Sequence, residues 1–394
     1  MIPRTAASIL TKYSKILIVL CWLVTTIIYL KIFGVVTILE ARKYISEAER
    51  FINEGNFSAP RYWFYCITIF IIVIALKLKI GLTGAFVLQS LLNVFAWLFF
   101  YTELKKIFKI PATAFFVIIY LLIFLPYQSW IVYLYTESAF FSLILILFSV
   151  LMRYKPVGIK NLLIIGLALL LVIISRPLGI LFAGSVYVYL FYTAPKKWKI
   201  ILSFCSIIFF LFSIYTINTI FSTIADWSIT QAFEEESIIC DLPGINTTYP
   251  KLYLAASGSP IYKLFFYVTH NFGHFLHFTG VKLQYFFLMT RPYYSKAHNY
   301  FLLVNTFTIY FLVIAGFFIK KATFNGEVLV FLITSIALYT LTIIFQCDDY
   351  HNRFILSIYP FFVILAARTA ESVGLHFFKN NIHAPGIGIE KTVP

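Results

Sequence analysis

Long apolar runs separated by short charged segments dominate this chain. A run of about 17 to 25 apolar residues is long enough for a helix to cross the hydrocarbon core of a bilayer. On this criterion we predict about ten transmembrane helices, near residues 16–38, 81–104, 111–126, 138–154, 161–175, 178–194, 199–222, 299–320, 327–346 and 353–372. The pattern therefore predicts an all-α, polytopic membrane protein.

Composition agrees with this class. Of the 394 residues, 61% are hydrophobic, 20% aromatic and 12% charged, and the mean hydropathy is +0.89. Inside lipid, backbone polar groups must be bonded internally, which apolar segments achieve as helices. The formal charge of +15 comes from small clusters of Lys and Arg between the apolar runs. We therefore expect membrane lipid, and no nucleic acid, as a partner.

The basic clusters predict the orientation in the membrane. If the ten segments cross, these clusters all fall on one side, which the positive-inside rule makes cytoplasmic. Residues 1–372 then form a single transmembrane domain with extracytoplasmic loops 39–80 and 223–298, and residues 373–394 form a cytoplasmic tail. Both termini are predicted to be cytoplasmic, and a bacterial inner membrane is favoured over the endoplasmic reticulum.

Residues 62–80 are apolar enough to cross, but a crossing there would place the basic cluster at Lys105 on the outer side. We expect this segment to lie along the outer leaflet or to dip into it. Outer-face juxtamembrane helices thus complete the predicted fold.

Two cysteines, Cys240 and Cys347, fall in segments predicted to lie outside the cytosol. A disulfide between them is possible there. No spacing in the sequence indicates that pairing, and we expect unpaired thiols.

The acid Glu40 ends the first apolar run and opens a charged segment with helical spacing. That spacing places Tyr44 and Glu47 on the same side as Glu40, opposite an apolar stripe able to lie on the membrane. A second acid, Glu137, stands at the outer start of a later span. Each acid also has an explanation without a functional role. Glu40 would belong to a solvated connector, and Glu137 would be a charge favoured by the dipole at the start of its helix. The functional hypothesis is that the two carboxylates face one another across an outer cavity.

Cations occur at two other outer helix ends. Arg176, followed by a proline, lies between two closely spaced spans, where a guanidinium can bind phosphate oxygens in a bidentate manner. In the second cluster, Arg353 and His351 are placed to hold an anion while Asp348 or Asp349 fixes their orientation. Snorkelling to the interface is the alternative for Arg176.

Three histidines, His270, His274 and His277, are spaced so that one helix would bring them to a common face. A metal triad is conceivable from that spacing, but no fourth ligand is indicated. A role for His270 near a phosphate is the favoured functional alternative, and no metal or other cofactor is expected.

The order of these markers resembles that of the membrane-embedded GT-C glycosyltransferases, the superfamily of protein mannosyltransferases and the aminoarabinose transferase of lipid A. The resemblance rests on four short motifs between about residues 16 and 366. They are an acid ending the first span with Tyr, Ala and Gly after it (Glu40, Tyr44, Ala48, Gly55), Thr136-Glu137, Arg176-Pro177, and Asn352-Arg353-Phe354 with Pro360 downstream.

The resemblance implies a polyprenyl-phosphate sugar as donor and a glycan, lipid or protein hydroxyl as acceptor on the extracytoplasmic face. It implies that Glu40 is the general base of an inverting transfer, that Glu137 is the second acid, and that Arg176 and Arg353 bind the lipid phosphate. Tyr44, His351, Asp349 and His270 complete the expected substrate site. Many relatives have Asp, often in an acidic pair, at the first position, whereas Ala41 follows Glu40 here. That difference argues against a metal-dependent mechanism.

Other membrane functions remain alternatives. A lipid-linked glycan flippase or another transporter would also need outer cations, but it would place ionisable residues near the bilayer midplane and often show two related halves. A glycan polymerase or ligase would show larger outer loops with several arginines. The sequence shows few such features, so glycosyl transfer is the favoured function.

Overall fold

The structure is a computed structural model that describes residues 4–156, 158–223, 230–240, 251–319, 324–348 and 351–382. Its regular elements there are helices, and the predicted all-α class is confirmed. In chain order they are α1 Arg4–Phe33, α2 Glu40–Glu54, α3 Cys66–Lys77, α4 Gly81–Ile107, α5 Pro111–Ile123, α6 Leu125–Gln128, α7 Thr136–Arg153, α8 Ile159–Ile173, α9 Ile180–Thr193, α10 Lys196–Thr223, α11 Gln231–Glu234, α12 Pro260–His270, α13 Phe272–Leu288, α14 Lys296–Phe318, α15 Gly326–Phe345 and α16 Arg353–Ile382. Short 3₁₀ helices cover Pro60–Tyr65, Ser129–Val132 and Pro177–Gly179.

Seven segments in the described part of the chain are long and apolar enough to span a membrane. They are Lys12–Phe33, Pro60–Lys77, Gly81–Ile107, Thr136–Arg153, Lys296–Phe318, Gly326–Phe345 and Arg353–Leu375. A bent pair of helices raises the number to eight if it is one span. The chain thus has the character of a multi-pass membrane protein, while the predicted number of about ten is not confirmed.

The predicted span 111–126 is broken in the structure. The helix Pro111–Ile123 and the following segment Leu125–Val132 are bent by 71°. Phe124, between the two helices, is extended with ψ 96°. Pro126 explains the break, because in a continuous helix its ring would clash with the Leu122 carbonyl and it has no amide hydrogen to donate. The second half of this pair lies near the candidate site.

The placement of residues 62–80 relative to the membrane stays a prediction. The segment Pro60–Lys77 meets the length and hydropathy requirement for a membrane span, whereas the basic clusters led us to expect a segment on the outer leaflet. The predicted spans at 161–175 and 178–194 correspond to the shorter apolar helices Ile159–Ile173 and Pro177–Thr193.

The protein divides into two compact units, each built from separate stretches of sequence. Unit 1 comprises Met1–Arg153, Thr308–Leu329 and Pro360–Pro394. Nearly every residue of α7 is buried in its core, where Phe148 packs against Phe100 and Phe361. Helix α16 continues to Ile382, past the predicted start of the tail at residue 373, and residues 383–394 lie outside the described part.

Unit 2 comprises Tyr154–Phe307 and Val330–Tyr359. Within it, the predicted loop 223–298 contains a small core of its own, formed by Phe233, Ile238, Ile239, Tyr267 and Phe278. This core is joined to the segment after α15 by an isolated parallel bridge between Ile239 and Asp348. The loop is therefore a packed element.

The expectation of unpaired thiols at Cys240 and Cys347 was wrong. The two cysteines form a disulfide with their Cα atoms 5.1 Å apart and 107 residues of sequence separation. The amide of Cys240 also donates to the carbonyl of Asp348 at 2.9 Å. Because the partners are so distant in the sequence, only the folded loop brings them together.

We predict that counting the reactive thiols with and without reductant will detect this disulfide. In the denatured protein without reductant, three thiols should react, namely Cys21, Cys66 and Cys205, and five should react after reduction. The Cys347→Ser variant should label at four positions with or without reductant. Five reactive thiols in the unreduced parent protein would contradict the pairing.

Candidate functional site

The segment before Glu40 leaves the helical path in a defined way. Helix α1 is followed by Gly34 in left-handed geometry, with φ 65°, which glycine adopts without a steric penalty. Leu39, directly before Glu40, has φ 55° and ψ −122° and is 78% exposed. Such geometry is typical of glycine in a type II′ turn, and strained residues of this kind cluster at functional sites.

A single parallel bridge joins this segment to the one that precedes Glu137. Val36 pairs with Tyr133; the Val36 amide donates to the Val132 carbonyl at 2.9 Å, and the Leu134 amide donates to the Val36 carbonyl at 3.1 Å. Glu40 and Glu137 each lie four residues after their bridge residue. Because the bridge is parallel, both chains run from it towards their acid in the same direction.

A side-chain bond extends this junction towards the acids. The Tyr135 hydroxyl donates to the Ile38 carbonyl at 3.2 Å. Ile38 is two residues before Glu40, and Tyr135 is two residues before Glu137. The structure therefore brings together the two acid-bearing segments that the sequence places 97 residues apart.

The carboxylate of Glu40 is partly exposed and has two neighbours on α2. Its Oε1 accepts a hydrogen bond from the Tyr44 hydroxyl at 2.7 Å and pairs with Lys43 Nζ at 2.8 Å, and the side chain is 24% exposed. Tyr44 is buried and its ring packs against Tyr65. The structure thus gives Tyr44 a role in orienting Glu40, while its predicted contact with substrate stays a prediction.

Glu137 lies in the first turn of α7 and is fully buried, unlike an acid lining an open outer cavity. The Thr136 hydroxyl donates to its Oε2 at 3.4 Å. The start of a helix favours negative charge. This position accounts for a buried carboxylate whether or not it takes part in chemistry.

Glu47, which shares the predicted face with Glu40, has a structural partner. Its carboxylate accepts hydrogen bonds from the backbone amide of Ser58, at 2.9 Å, and from the Ser58 hydroxyl. These bonds close the turn after α2. Glu47 therefore supports the loop.

In unit 2, Arg176 lies beside the residue that follows Arg353. Its guanidinium carbon is 5.9 Å from the centre of the Phe354 ring. The Ser357 hydroxyl donates to the Arg353 carbonyl at 2.9 Å. The structure thus places Arg176 beside the first turn of the helix that Arg353 begins, and both arginines are more than nine-tenths buried.

Arg353 begins α16 as Glu40 begins α2. The residue before it, Asn352, has φ 60°, a left-handed geometry that asparagine tolerates. The Asn352 amide donates to the Met289 carbonyl at 2.7 Å, and the Ile239–Asp348 bridge lies just upstream. Asp348 and Asn352 are therefore each bonded to another part of unit 2.

Asp348 was predicted to orient Arg353 or His351, and the structure gives it a partner that the sequence analysis did not single out. Its Oδ2 pairs with Arg291 at 2.5 Å, and both side chains are fully buried. Arg291 also donates to the carbonyls of Tyr285 and Thr290. Removing one member of such a pair leaves the other charge buried and unpaired, at a cost of about 3–5 kcal/mol, so both side chains are needed together at the base of this segment. The predicted ligand Asp349 lies outside the described residues.

His351 is exposed and lies among aromatic rings. Its Nδ1 is 3.4 Å from the Tyr294 hydroxyl, and its ring lies edge-on to Tyr293 at 6.4 Å between ring centres. The structure thus places His351 near the start of α16, two residues before Arg353.

The expectation of three histidines on one helix was wrong. His270 ends α12 and the other two belong to α13, because Asn271 breaks the helix. The Asn271 side chain bonds the backbone of Tyr253 on both its amide and its carbonyl. His270 stacks on Phe266 at 3.8 Å between ring centres. Within the described residues, no group of three or more His, Cys, Asp or Glu side chains is arranged to hold a metal ion.

A buried hydrogen-bonded chain includes the middle histidine. Tyr267 bonds His274 Nδ1 at 2.7 Å, and His274 Nε2 contacts Glu236 Oε1 at 3.0 Å. Burial, and then the nearby Glu236 carboxylate, raise the pKa of the Tyr267 phenol. These groups hold the small core of the loop together.

Lys282 on α13 is a buried cation that the sequence analysis missed. Its Nζ donates to the carbonyls of Ile344, at 2.8 Å, and Gln346, at 3.4 Å, at the end of α15. It also lies 4.3 Å from the centre of the Phe233 ring. Burial lowers the pKa of this amine from 10.5 to about 7.

Comparison with protein-family models, curated proteins and solved structures gives no match for this chain. The functional argument therefore rests on the residues and their geometry.

The lowered pKa of Lys282 predicts a pH-dependent stability. Between pH 7 and about 10.5 the unfolded chain binds more protons than the folded protein, so the free energy of unfolding rises with pH in this window. The Lys282→Met variant lacks this contribution. The melting temperature of the parent protein, minus that of Lys282→Met, should therefore increase from pH 7 to pH 9 in detergent. Lys251→Met, at an exposed lysine of the same unit, controls for the loss of one charge, and a pH-independent difference for Lys282→Met would contradict the prediction.

Proposed function

We propose that this protein is an integral membrane glycosyltransferase that moves a sugar from a polyprenyl-phosphate donor to an acceptor hydroxyl. The observation that carries the proposal is the parallel bridge between Val36 and Tyr133, which joins the segments of the two acids. Isolated bridges of this kind do not follow from helix packing. Here one occurs directly before two carboxylates that the sequence analysis had already chosen.

In this proposal Glu40 is the general base. The acceptor oxygen attacks the anomeric carbon, the bond from that carbon to the phosphate oxygen breaks, and the acceptor proton passes to Glu40. The configuration at the anomeric carbon inverts. The exposure of Glu40 supports this role, since a base must reach the proton that it removes, and the Tyr44 hydroxyl holds its carboxylate in place.

Glu137 has a different part because it is fully buried. A side chain without exposure does not contact a sugar directly in this conformation. We assign to Glu137 the role of the second acid, at the junction of the two segments.

Arg176 and Arg353 are the proposed phosphate ligands within unit 2. Guanidinium groups bind phosphate oxygens strongly and stay charged, and they would stabilise the charge on the departing lipid phosphate. The guanidinium of Arg176 lies over the ring of Phe354, the residue after Arg353, and this proximity supports a common ligand. His351, at the start of the same helix, and Asp349 and His270 remain proposed substrate contacts.

The cellular setting belongs to the same proposal. We place the reaction on the extracytoplasmic face of a bacterial inner membrane, with a cell-envelope glycan, a lipid or a protein as acceptor. No metal ion is required in this scheme, because the base and the arginines supply the proton transfer and the charge stabilisation.

We predict that Glu40→Gln will lower sugar transfer by about 100-fold or more, because the amide does not accept the acceptor proton. The measurement is transfer of labelled sugar from a polyprenyl-phosphate donor in membranes at matched expression. Glu54→Gln is the matched control, since Glu54 lies at the other end of α2 and is half exposed. Donor binding should persist in both variants.

Equal transfer by Glu40→Gln and the parent protein would overturn the catalytic role. Absence of transfer by the parent, across a panel of polyprenyl-phosphate sugars, would overturn the glycosyltransferase proposal itself. In that case a flippase assay with the same donors becomes the next measurement.

We predict a separate effect for the arginines. Arg353→Lys keeps the charge but loses the bidentate geometry, so the KM for the donor should rise by about tenfold or more, as expected for loss of a charge-assisted hydrogen bond. The KM for the acceptor should stay the same. Lys251→Ala serves as the control, and an unchanged donor KM in Arg353→Lys would contradict the phosphate role.

A further inference from the structure

Helix α4 carries a row of polar side chains inside an otherwise apolar span. Gln89, Asn93 and Trp97 follow one another at intervals of four residues, which places them on one face of the helix. All three are buried. Polar groups at membrane depth are costly unless they are bonded, and they are retained where they serve a purpose.

Asn93, in the middle of the row, bonds Gln128 at the end of α6, in the segment Leu125–Val132 that follows the bend. Asn93 Oδ1 accepts hydrogen bonds from Gln128 Nε2 at 3.0 Å, from Trp97 Nε1 at 3.1 Å and from Trp22 Nε1 at 2.9 Å. Its own Nδ2 donates to Ser142 Oγ at 3.0 Å. One asparagine thus connects α1, α6 and α7 to α4.

Gln89, the first residue of the row, bonds the backbone at the end of the segment Leu125–Val132 and just after it. Gln89 Nε2 donates to the Ile131 carbonyl at 2.6 Å and to the Tyr133 carbonyl at 3.0 Å. The carbonyl between them, that of Val132, accepts from the amide of Val36. The carbonyls of Ile131, Val132 and Tyr133, at the end of the 3₁₀ helix Ser129–Val132, therefore bind Gln89 and Val36 in alternation.

We propose that Gln89 is a positioning residue for the acid pair. By fixing the Ile131 and Tyr133 carbonyls, its amide keeps Val132 available to the amide of Val36, and that bridge sets the segments of Glu40 and Glu137 against one another. Gln89 does not touch either carboxylate in this role; it acts through the backbone. The catalytic part of this inference rests on the function proposed above, while the positional part does not.

The matched substitution is Gln89→Met, which keeps the length of the side chain and removes the donor. Gln89→Glu keeps the shape and directs carboxylate oxygens at two carbonyl oxygens, so its effect should be larger. Ser90→Ala is the control, because Ser90 is the next residue on the same helix, is buried, and has a hydroxyl with no hydrogen-bond partner among the described residues. Thiol counts and melting temperatures identify any variant that fails to fold.

The first measurement is the distance between the two segments in full-length protein in membranes. With Val36→Cys and Tyr133→Cys present together, mild oxidation should join positions 36 and 133, detected in the disulfide-linked peptide. We expect Gln89→Met to lower the yield at least threefold and Ser90→Ala to leave it unchanged. An unchanged yield in both Gln89→Met and Gln89→Glu would overturn the positional part, whatever the catalytic activity.

The second measurement separates kcat from KM for sugar transfer. A displaced base lowers kcat, so Gln89→Met should reduce kcat about tenfold while the donor KM stays within twofold of the parent value. Active parent protein with an unchanged kcat in a folded Gln89→Met variant would overturn the catalytic part and leave the proposed function standing. Inactive parent protein, with a reduced cross-linking yield in Gln89→Met, would overturn the proposed function and support the positional role alone.

Discussion

Hydrogen bonding of the backbone between α1 and α2 is the constraint on which the candidate site depends. A chain that leaves a transmembrane helix exposes amides and carbonyls that must find partners. Here the partners of Val36 are Val132 and Leu134, which lie where the chain leaves the 3₁₀ helix Ser129–Val132. Each irregular segment thus supplies the bonds that the other one needs. Neither is bonded in this way if the other becomes a regular helix.

This mutual dependence explains why polar side chains occur in α4. Two irregular segments joined by one bridge have few bonds of their own, and Gln89 supplies two more. The Asn93 group adds the connection to α1 and α7. A buried network in which the donors are satisfied specifies one arrangement, and that arrangement fixes the backbone before both acids.

The sequence was informative where the physics is local. Apolar runs gave the helical class, and Glu40 and Arg353 were chosen because each is a charge at the end of an apolar run. The Val36–Tyr133 bridge was missed, and the Cys240–Cys347 bond was considered but rejected, because each joins residues about a hundred positions apart and no local pattern encodes such pairs. The break at Pro126 was visible in the sequence, as was the spacing of Gln89, Asn93 and Trp97, so closer attention to polar residues inside apolar spans would have found them. At Asn271 the helical spacing of the histidines was misleading, since tertiary hydrogen bonds to Tyr253 ended the helix there.

The same local device precedes the main charged residue of each unit. In unit 1 a parallel bridge at Val36 is followed by Leu39 in left-handed geometry and then by Glu40 at the start of a helix. In unit 2 a parallel bridge at Asp348 is followed by Asn352 in left-handed geometry and then by Arg353 at the start of a helix. A bridge fixes the direction of the chain, and a left-handed residue turns it into the helix within a few positions. Glu40 and Arg353 each follow directly on a residue of positive φ and begin a helix, and a helix start of defined geometry is what a group needs if it must meet a reacting atom without reorganisation. The backbone bonding alone does not explain why this arrangement, with its strained Leu39, carries an acid in one unit and a cation in the other. In the function proposed above these two residues are the base and a phosphate ligand, and each of those roles needs a fixed orientation.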